Sequence, residues 1–295
     1  MNEPQSEQHP LESPPTRTPH PLEQPPTPAR PEPPRQRVNL RIPSVKPTAT
    51  YVLIAINVII FVLRAFSPTL DGQFFEWGAN NSQLVLQNGE YYRLLSSMFL
   101  HAGVLIRGQY ALENSIHIFF NMYILYAVGL SLEPLFGHAR FLIIYLLGGL
   151  LGSVLSVLFG GENSYSVGAS GAVFAILGAE FVYLWHHRKL MGSAGQARRR
   201  TLIIFAVMNL AAGLISTLPG SARSIDNWGH VGGLIGGVVL AWFISPILNL
   251  RAHPDHPGEI LGEDINPLHK HYWVVSLYAT ALVILIFIGV LRAGG

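Results

Sequence analysis

The sequence predicts an all-α fold: a polytopic membrane bundle of about seven transmembrane helices. Of its 295 residues, 49% are hydrophobic and 12% are charged, whereas a soluble domain carries about 25% charged residues. Seven apolar segments follow one another, each close to the roughly 20 residues that a helix needs to cross a bilayer. These runs are too long for barrel strands. They lie at residues 48–66, 116–135, 139–159, 168–187, 201–218, 228–248 and 272–291.

Residues 1–47 are predicted to form a disordered, proline-rich cytoplasmic tail. Fourteen of the 21 prolines lie in this stretch, which has too few apolar residues to offset the entropy of ordering. It lacks the apolar stretch of a signal peptide, and its five glutamates argue against an organellar transit peptide. A solvated extension and a proline-rich docking segment both fit this composition.

The distribution of lysine and arginine predicts the orientation. With the N-terminus in the cytoplasm, 14 of the 19 basic residues lie on the cytoplasmic side, as the positive-inside rule requires. The C-terminus is then non-cytoplasmic, and we expect a bacterial inner membrane because no organellar presequence is visible. The predicted domains are a six-helix core at 48–250, a cytoplasmic linker at 251–271, and the seventh helix with the C-terminus at 272–295.

The connection between the first two segments, residues 67–115, is not typical of a loop. Its centre combines an apolar cluster with aromatic and basic neighbours, which predicts a segment lying at the membrane surface. The apolar cluster comprises Leu94, Leu95, Met98, Phe99 and Leu100, and its neighbours are Tyr91, Tyr92 and Arg93.

Two polar residues stand within the second apolar segment, where an ionisable group costs roughly 2.5 kcal/mol or more. His117 and Asn121 are four residues apart and therefore share one helix face. Two interpretations remain open at this point. The pair could hydrogen-bond a neighbouring helix, or both residues could point into a polar cavity.

The fourth apolar segment opens with Gly168, Ser170 and Gly171, followed one turn later by Phe174. Small residues at this spacing allow two helices to pack closely. Glycines on both sides of a serine also clear space around its hydroxyl, and the free N–H groups of a helix N-terminus face the same place. That arrangement suits a nucleophile with an oxyanion site beside it.

The sixth apolar segment carries His230 close to its start, followed by Gly233 and Gly237. Glycines four residues apart mark a close-packed face, which turns His230 into the bundle. There a neutral imidazole could accept the proton of Ser170. The alternating topology brings Ser170, His230 and His117 to the same side of the membrane. These residues predict a Ser–His dyad, with Asp226 a weak candidate for a third member.

The sequence lacks the residues and motifs that other catalytic chemistries require. It contains no cysteine, which excludes disulfides, thiolate metal sites and a cysteine nucleophile. There is no H-E-x-x-H motif and no glycine-rich phosphate loop, so we expect no metal and no cofactor. The basic residues flank membrane segments, so the net charge of +2 does not indicate nucleic acid. The sequence specifies no oligomeric state.

Together these residues resemble the rhomboid family of intramembrane serine proteases, over residues 48–248. The resemblance rests on four motifs in order: Tyr92-Arg93 with His101, His117-x-x-x-Asn121, Gly168-x-Ser170-Gly171, and Gly229-His230-x-x-Gly233-x-x-x-Gly237. Two departures stand out. Tyr92 occupies the place of the family's usual tryptophan, and the loop between His101 and His117 looks longer than in compact bacterial members by about 11 residues, 104–114.

The resemblance implies roles for the matching residues. Ser170 would be the nucleophile and His230 its general base and acid. His117, Asn121 and the backbone N–H of Ser170 would form the oxyanion hole. The supporting residues would be Gly168 and Gly171 beside the serine, Phe174 stacked on the histidine, and Gly233 and Gly237 at the helix contact. The fifth helix and the loop 218–225 would gate the site.

The implied substrates are single-pass membrane proteins within the lipid bilayer. A catalytically inactive rhomboid-like protein that binds transmembrane segments is the alternative, although retention of both Ser170 and His230 argues against it. A small-solute transporter would require an inverted repeat, which the first six segments do not show.

Overall fold

The structure is a computed structural model that describes residues 39–103, 105–106, 109–110, 115–161, 164–218, 225–256 and 258–294. Six long helices dominate these residues, and four helical segments are both long and apolar enough to cross a membrane, by length and composition. The chain is therefore a helical membrane bundle, as predicted. The long helices are α1 (Thr48–Ala65), α5 (Ser115–Phe159), α6 (Ser170–His186), α7 (Arg188–Ile215), α8 (Asn227–Ile244) and α9 (Tyr272–Ala293).

Helix α5 accounts for two of the seven predicted segments. Its residue Gly137 has non-helical backbone angles, φ 76° and ψ 159°, in the left-handed region that favours glycine. The helix is therefore broken into 115–136 and 138–159. Gly192 interrupts α7 in the same way and separates its first basic residues from the apolar part. With these breaks, each of the seven apolar segments contains one helix.

Helix α6, the second half of α5 and α8 pack against one another at the centre of the bundle. Glycines bring the three backbones into contact. A Cβ added at Gly233 would collide with the carbonyl oxygen of Gly171, and one at Gly237 would collide with that of Ala175. The predicted close-packed face of α8 is thus present. Helices α1, α7 and α9 are peripheral and bury few of their residues.

The connection from α1 to α5 is folded against the bundle. It contains helices α2 (Pro68–Gly78), α3 (Ser82–Leu86) and α4 (Arg93–Ser96), with strand β2 (Asn80–Asn81) and a hairpin of β3 (Leu105–Ile106) and β4 (Gln109–Tyr110). Arg93 ties it together by donating to the carbonyl oxygen of Ala79 at 3.0 Å and pairing with Glu90 at 2.7 Å. Most of the long stretch 104–114 lies outside the described residues.

A small sheet lies at the end of the bundle where α8 finishes and α9 begins, and it corrects two predicted boundaries. Strands β6 (Leu248–Ala252) and β7 (Glu259–Asp264) form an antiparallel hairpin, and β1 (Asn39–Arg41) pairs with β7 in parallel. Residues 39–47 are therefore not part of a disordered tail, and 251–271 is not a plain linker. Composition misses this sheet because β1 gains its backbone partners from a strand more than 200 residues away. The rest of the predicted tail, 1–38, lies outside the described residues.

The bundle has two ends, named here by one residue each. At the Ser170 end, α1, α7 and α9 finish and α6 and α8 begin. At the Glu133 end, α1 and α9 begin and α6 and α8 finish.

Candidate active site

Ser170 is the first residue of α6, at the end of a tight connection from α5. Strand β5 (Tyr165–Ser166) pairs with β2, and the N–H of Gly168 donates to the carbonyl oxygen of Ser97 at 3.0 Å. Gly168 has φ 137°, a conformation that L side chains rarely adopt. The turn therefore depends on glycine, and its anchors in the first loop fix where Ser170 stands.

The N-terminus of α6 is left open. Its cap residue, Ala169, provides no side-chain cap, and none of the described side chains accepts a hydrogen bond from the N–H of Ser170 or Gly171. The first N–H groups of a helix need partners, and together with the helix dipole they favour an anion. An oxyanion formed beside Ser170 would meet such donors.

His230 lies in the first turn of α8 and is buried. Its ring stacks on Phe174, with ring centroids 4.4 Å apart and planes 9° apart. Phe174 stands one turn after Ser170, so this contact places the imidazole on the serine side of α6. Among the described residues no hydrogen bond joins the Ser170 hydroxyl to His230, and catalytic hydrogen bonds are often long without substrate.

The carboxylate of Asp226 accepts hydrogen bonds from groups other than the His230 ring. One carboxylate oxygen accepts the N–H of Gly229 at 2.8 Å, which caps α8, and the other accepts the hydroxyl of Ser166. In the described part of the chain, Nδ1 of His230 has no hydrogen-bond partner. The geometry thus gives a serine and a histidine without an orienting carboxylate.

His117 and Ser170 converge over Gly168. A Cβ added at Gly168 would lie 3.0 Å from Nε2 of His117 and 3.7 Å from Oγ of Ser170, so the absence of a side chain opens the space between them. Asn121 is arranged differently, since its amide nitrogen donates to the backbone oxygen of His117 at 2.9 Å. Asn121 therefore bonds its own helix in this structure.

A small cavity of about 20 Å³ lies against Ser170, Gly171 and Asp226. About 10–15 Å³ is enough for one water molecule. The space beside the serine is therefore large enough for the second reactant of a hydrolysis.

His101 lies beside His117 and is fully buried. Its ring meets the His117 ring edge to face, with centroids 5.3 Å apart. Burial, with smaller effects from His117 and Arg64, lowers the pKa of His101 to about 3. The residue is therefore neutral at physiological pH and places no positive charge beside His117.

Arg64 and Asp71, near this site, were missed by sequence reasoning. Arg64 is 2% exposed, and its Nη2 lies 2.7 Å from a carboxylate oxygen of Asp71. In the sequence, Arg64 is one of the basic residues that flank membrane segments. Its place inside the last turn of an apolar helix was the available signal, because a charge at that depth is expensive and often functional.

Fold and site together define a polytopic membrane protein in which a serine, two histidines and an open helix N-terminus meet at one end of a helical bundle. The Rhomboid domain family model matches residues 88–247, more than half of the chain. The protein therefore belongs to the rhomboid family.

Its relatives include named proteases. The chain is 36% identical to the Rhomboid protease GluP of Bacillus subtilis, over 66% of this chain and 34% of that protein. It is 33% identical to RHOMBOID-like protein 1 of Arabidopsis thaliana, over 71% and 49%, and 30% identical to Rhomboid-like protease 1 of Toxoplasma gondii, over 67% and 65%. The chain thus spans between about a third and two thirds of the length of these relatives.

Proposed function

We propose that the protein is an intramembrane serine endopeptidase that cleaves peptide bonds in or near transmembrane segments, using Ser170 and His230. Its substrates would be single-pass membrane proteins. The chain would lie in a bacterial inner membrane with its N-terminus in the cytoplasm, so that the Ser170 end opens on the non-cytoplasmic side. The observation that carries the proposal is the convergence of Ser170 and His117 over Gly168, beside a His230 ring held by Phe174.

The reaction follows the chemistry of these groups. Oγ of Ser170 attacks the scissile carbonyl carbon while His230 accepts the hydroxyl proton. The oxyanion accepts hydrogen bonds from the N–H of Ser170 and from Nε2–H of His117. Collapse breaks the C–N bond, and His230 returns the proton to the leaving amine. Water then hydrolyses the acyl-serine ester by the same proton transfers.

Asn121 has a secondary role in stabilising the oxyanion. One N–H of its amide holds the backbone oxygen of His117, and the second N–H of the same amide is the one that would donate to an oxyanion. Phe174 fixes the plane of the imidazole, and Gly233 and Gly237 keep α8 against α6.

The test is cleavage of a panel of single-pass membrane proteins by the purified chain in proteoliposomes. Ser170→Ala should abolish cleavage and leave the thermal unfolding midpoint unchanged. The matched control is Ser131→Ala, which removes a hydroxyl bonded to its own helix away from the site and should cleave normally. Undiminished cleavage by Ser170→Ala would refute the proposal. Substrate binding without cleavage by the unmodified chain would favour the inactive binder.

A further inference from the structure

Arg64 joins α1 to the segment that precedes His117. Its Nη1 donates to the carbonyl oxygen of His101 at 2.7 Å, while its Nη2 pairs with Asp71 at the start of α2. The planar guanidinium can serve both partners at once because its donors have a fixed fork geometry. One buried side chain thus connects a transmembrane helix, the first helix of the loop and residue 101.

The same segment is also held from its other side. A Cβ added at Gly103 would collide with the carboxylate of Asp71, so the backbone of Gly103 lies against that group. Arg64 and Asp71 therefore hold the two ends of the short stretch His101–Gly103. The residue between them, Ala102, faces α5 through its backbone, and the ring of His101 packs on His117 of the same helix.

Ala102 makes the contact that reaches the site. Its backbone N–H donates to Nδ1 of His117, a long hydrogen bond of 3.5 Å. A neutral imidazole carries its hydrogen on one nitrogen and accepts on the other. With Nδ1 as the acceptor, the hydrogen lies on Nε2, and this is the nitrogen that faces Gly168 and Ser170.

We propose that Arg64 and Asp71 are positioning residues: they fix the His101–Gly103 segment so that Ala102 sets the orientation and the tautomer of His117, with Nε2–H directed at the oxyanion position. The proposal rests on the proposed function for its effect on catalysis. It also makes a claim about His117 that holds without any substrate.

The chain offers a matched control for a purely structural role. Arg140 also joins a carboxylate and a backbone carbonyl: its Nη2 donates to Asp264 at 2.7 Å and to the oxygen of Asn266 at 2.6 Å. This cluster lies at the Glu133 end. Removing one partner of a buried ion pair is generally destabilising, so both arginines are expected to affect unfolding, and only Arg64 is expected to affect His117.

The first experiment compares cleavage kinetics of Arg64→Met, Asp71→Asn and Arg140→Met in proteoliposomes. Arg64→Met should lower kcat about 10- to 100-fold with little change in KM, because a transition-state donor is misplaced. Arg140→Met should retain kcat in the molecules that fold. Should Arg64→Met fail to fold, the shape-conserving Asp71→Asn gives the same comparison. Equal kcat for the Arg64, Asp71 and Arg140 variants would overturn the proposal.

A double-mutant cycle shows whether Arg64 acts through His117. Adding Arg64→Met to His117→Ala should cost no further kcat if the effect passes through that imidazole, whereas independent effects would add. Fully additive losses would contradict the proposal.

The tautomer is measured without activity, by the ¹⁵N chemical shifts of labelled His117. The unmodified chain should show hydrogen on Nε2, and Arg64→Met should show a mixture of tautomers. An unchanged Nε2–H signal in the variant would overturn the proposal even if Ser170 proves catalytic. A changed signal with no cleavage by the unmodified chain would refute the protease and leave the positioning role intact.

Discussion

The N-termini of α1 and α6 lie at opposite ends of the bundle, and their N–H groups are satisfied in opposite ways. At α1, the carboxylate of Glu133 accepts the N–H of Ala49 at 2.8 Å and of Thr50 at 2.7 Å, together with the Thr50 hydroxyl at 2.6 Å. At α6, no described side chain accepts from the N–H of Ser170 or Gly171.

This difference distinguishes a helix end that stabilises the fold from a helix end whose N–H groups can bind a reacting group. A helix end closed by a buried carboxylate from another helix stabilises the packing of the two, because its polar groups are paired. An open helix end within a membrane bundle presents backbone N–H donors that can bind an anion. The carboxylate of Glu133 therefore holds α1 and α5 together, whereas the first N–H groups of α6 have no acceptor among the described side chains.

Apart from the loss of Ser170 itself, the largest effect on activity is expected at Gly168. Gly168→Ala adds a Cβ 3.0 Å from the His117 ring, so it fills the space where the oxyanion forms and should lower kcat by about 100-fold. The matched control is Gly161→Ala, which has φ 101° and nothing within 4 Å of the added Cβ. Both variants carry backbone strain of about 1–3 kcal/mol, and cleavage assays with thermal unfolding separate the two effects. Equal kcat in the two variants would contradict the account of the open site.

At the Glu133 end the expected effect is on stability and not on kcat. Glu133→Gln would turn an amide nitrogen toward the N–H donors of α1, and we expect a loss of about 2–4 kcal/mol. Glu263→Gln changes an exposed partner of Arg251 at 3.4 Å and should be neutral. Unfolding and kcat measured on the same preparations decide the point. A folded Glu133→Gln protein with unchanged stability and reduced kcat would reverse the comparison.

A smaller and graded effect is expected from pH. Because imidazolium cannot accept the Ser170 proton, kcat/KM should rise with pH through the pKa of His230 and level off above it. His101 adds an effect on stability: its pKa is about 3 when folded, against an ordinary 6.5, so the unfolded chain binds the proton first. Stability is therefore lost as pH falls from 6.5 toward 3, and tryptophan fluorescence at each pH identifies unfolding. A profile of the folded protein in which kcat/KM falls instead of rising as the pH increases through the acid range would exclude His230 as the base.

The helices and the central polar residues could be predicted because both are local signals in an apolar background. Segments near 20 residues long have few alternatives in a bilayer, and Ser170 and His230 stand out because each lies in a run of apolar and small residues. What could not be predicted is which partner each group finds in the folded chain. Strand β1 needs β7, and the partner of Asn121 is a backbone oxygen of its own helix. The sequence shows that Arg64 lies in an apolar segment, but only the fold shows that its guanidinium reaches the backbone oxygen of His101.

The central claim is that the Ser170 end holds an activated serine. Its most direct measurement is labelling with a fluorophosphonate probe in proteoliposomes, followed by mass spectrometry of the modified peptide. The account predicts one adduct, on Ser170, that is lost in His230→Ala and kept in Ser131→Ala. No adduct on Ser170 of the folded protein, or an adduct that persists without His230, would contradict it.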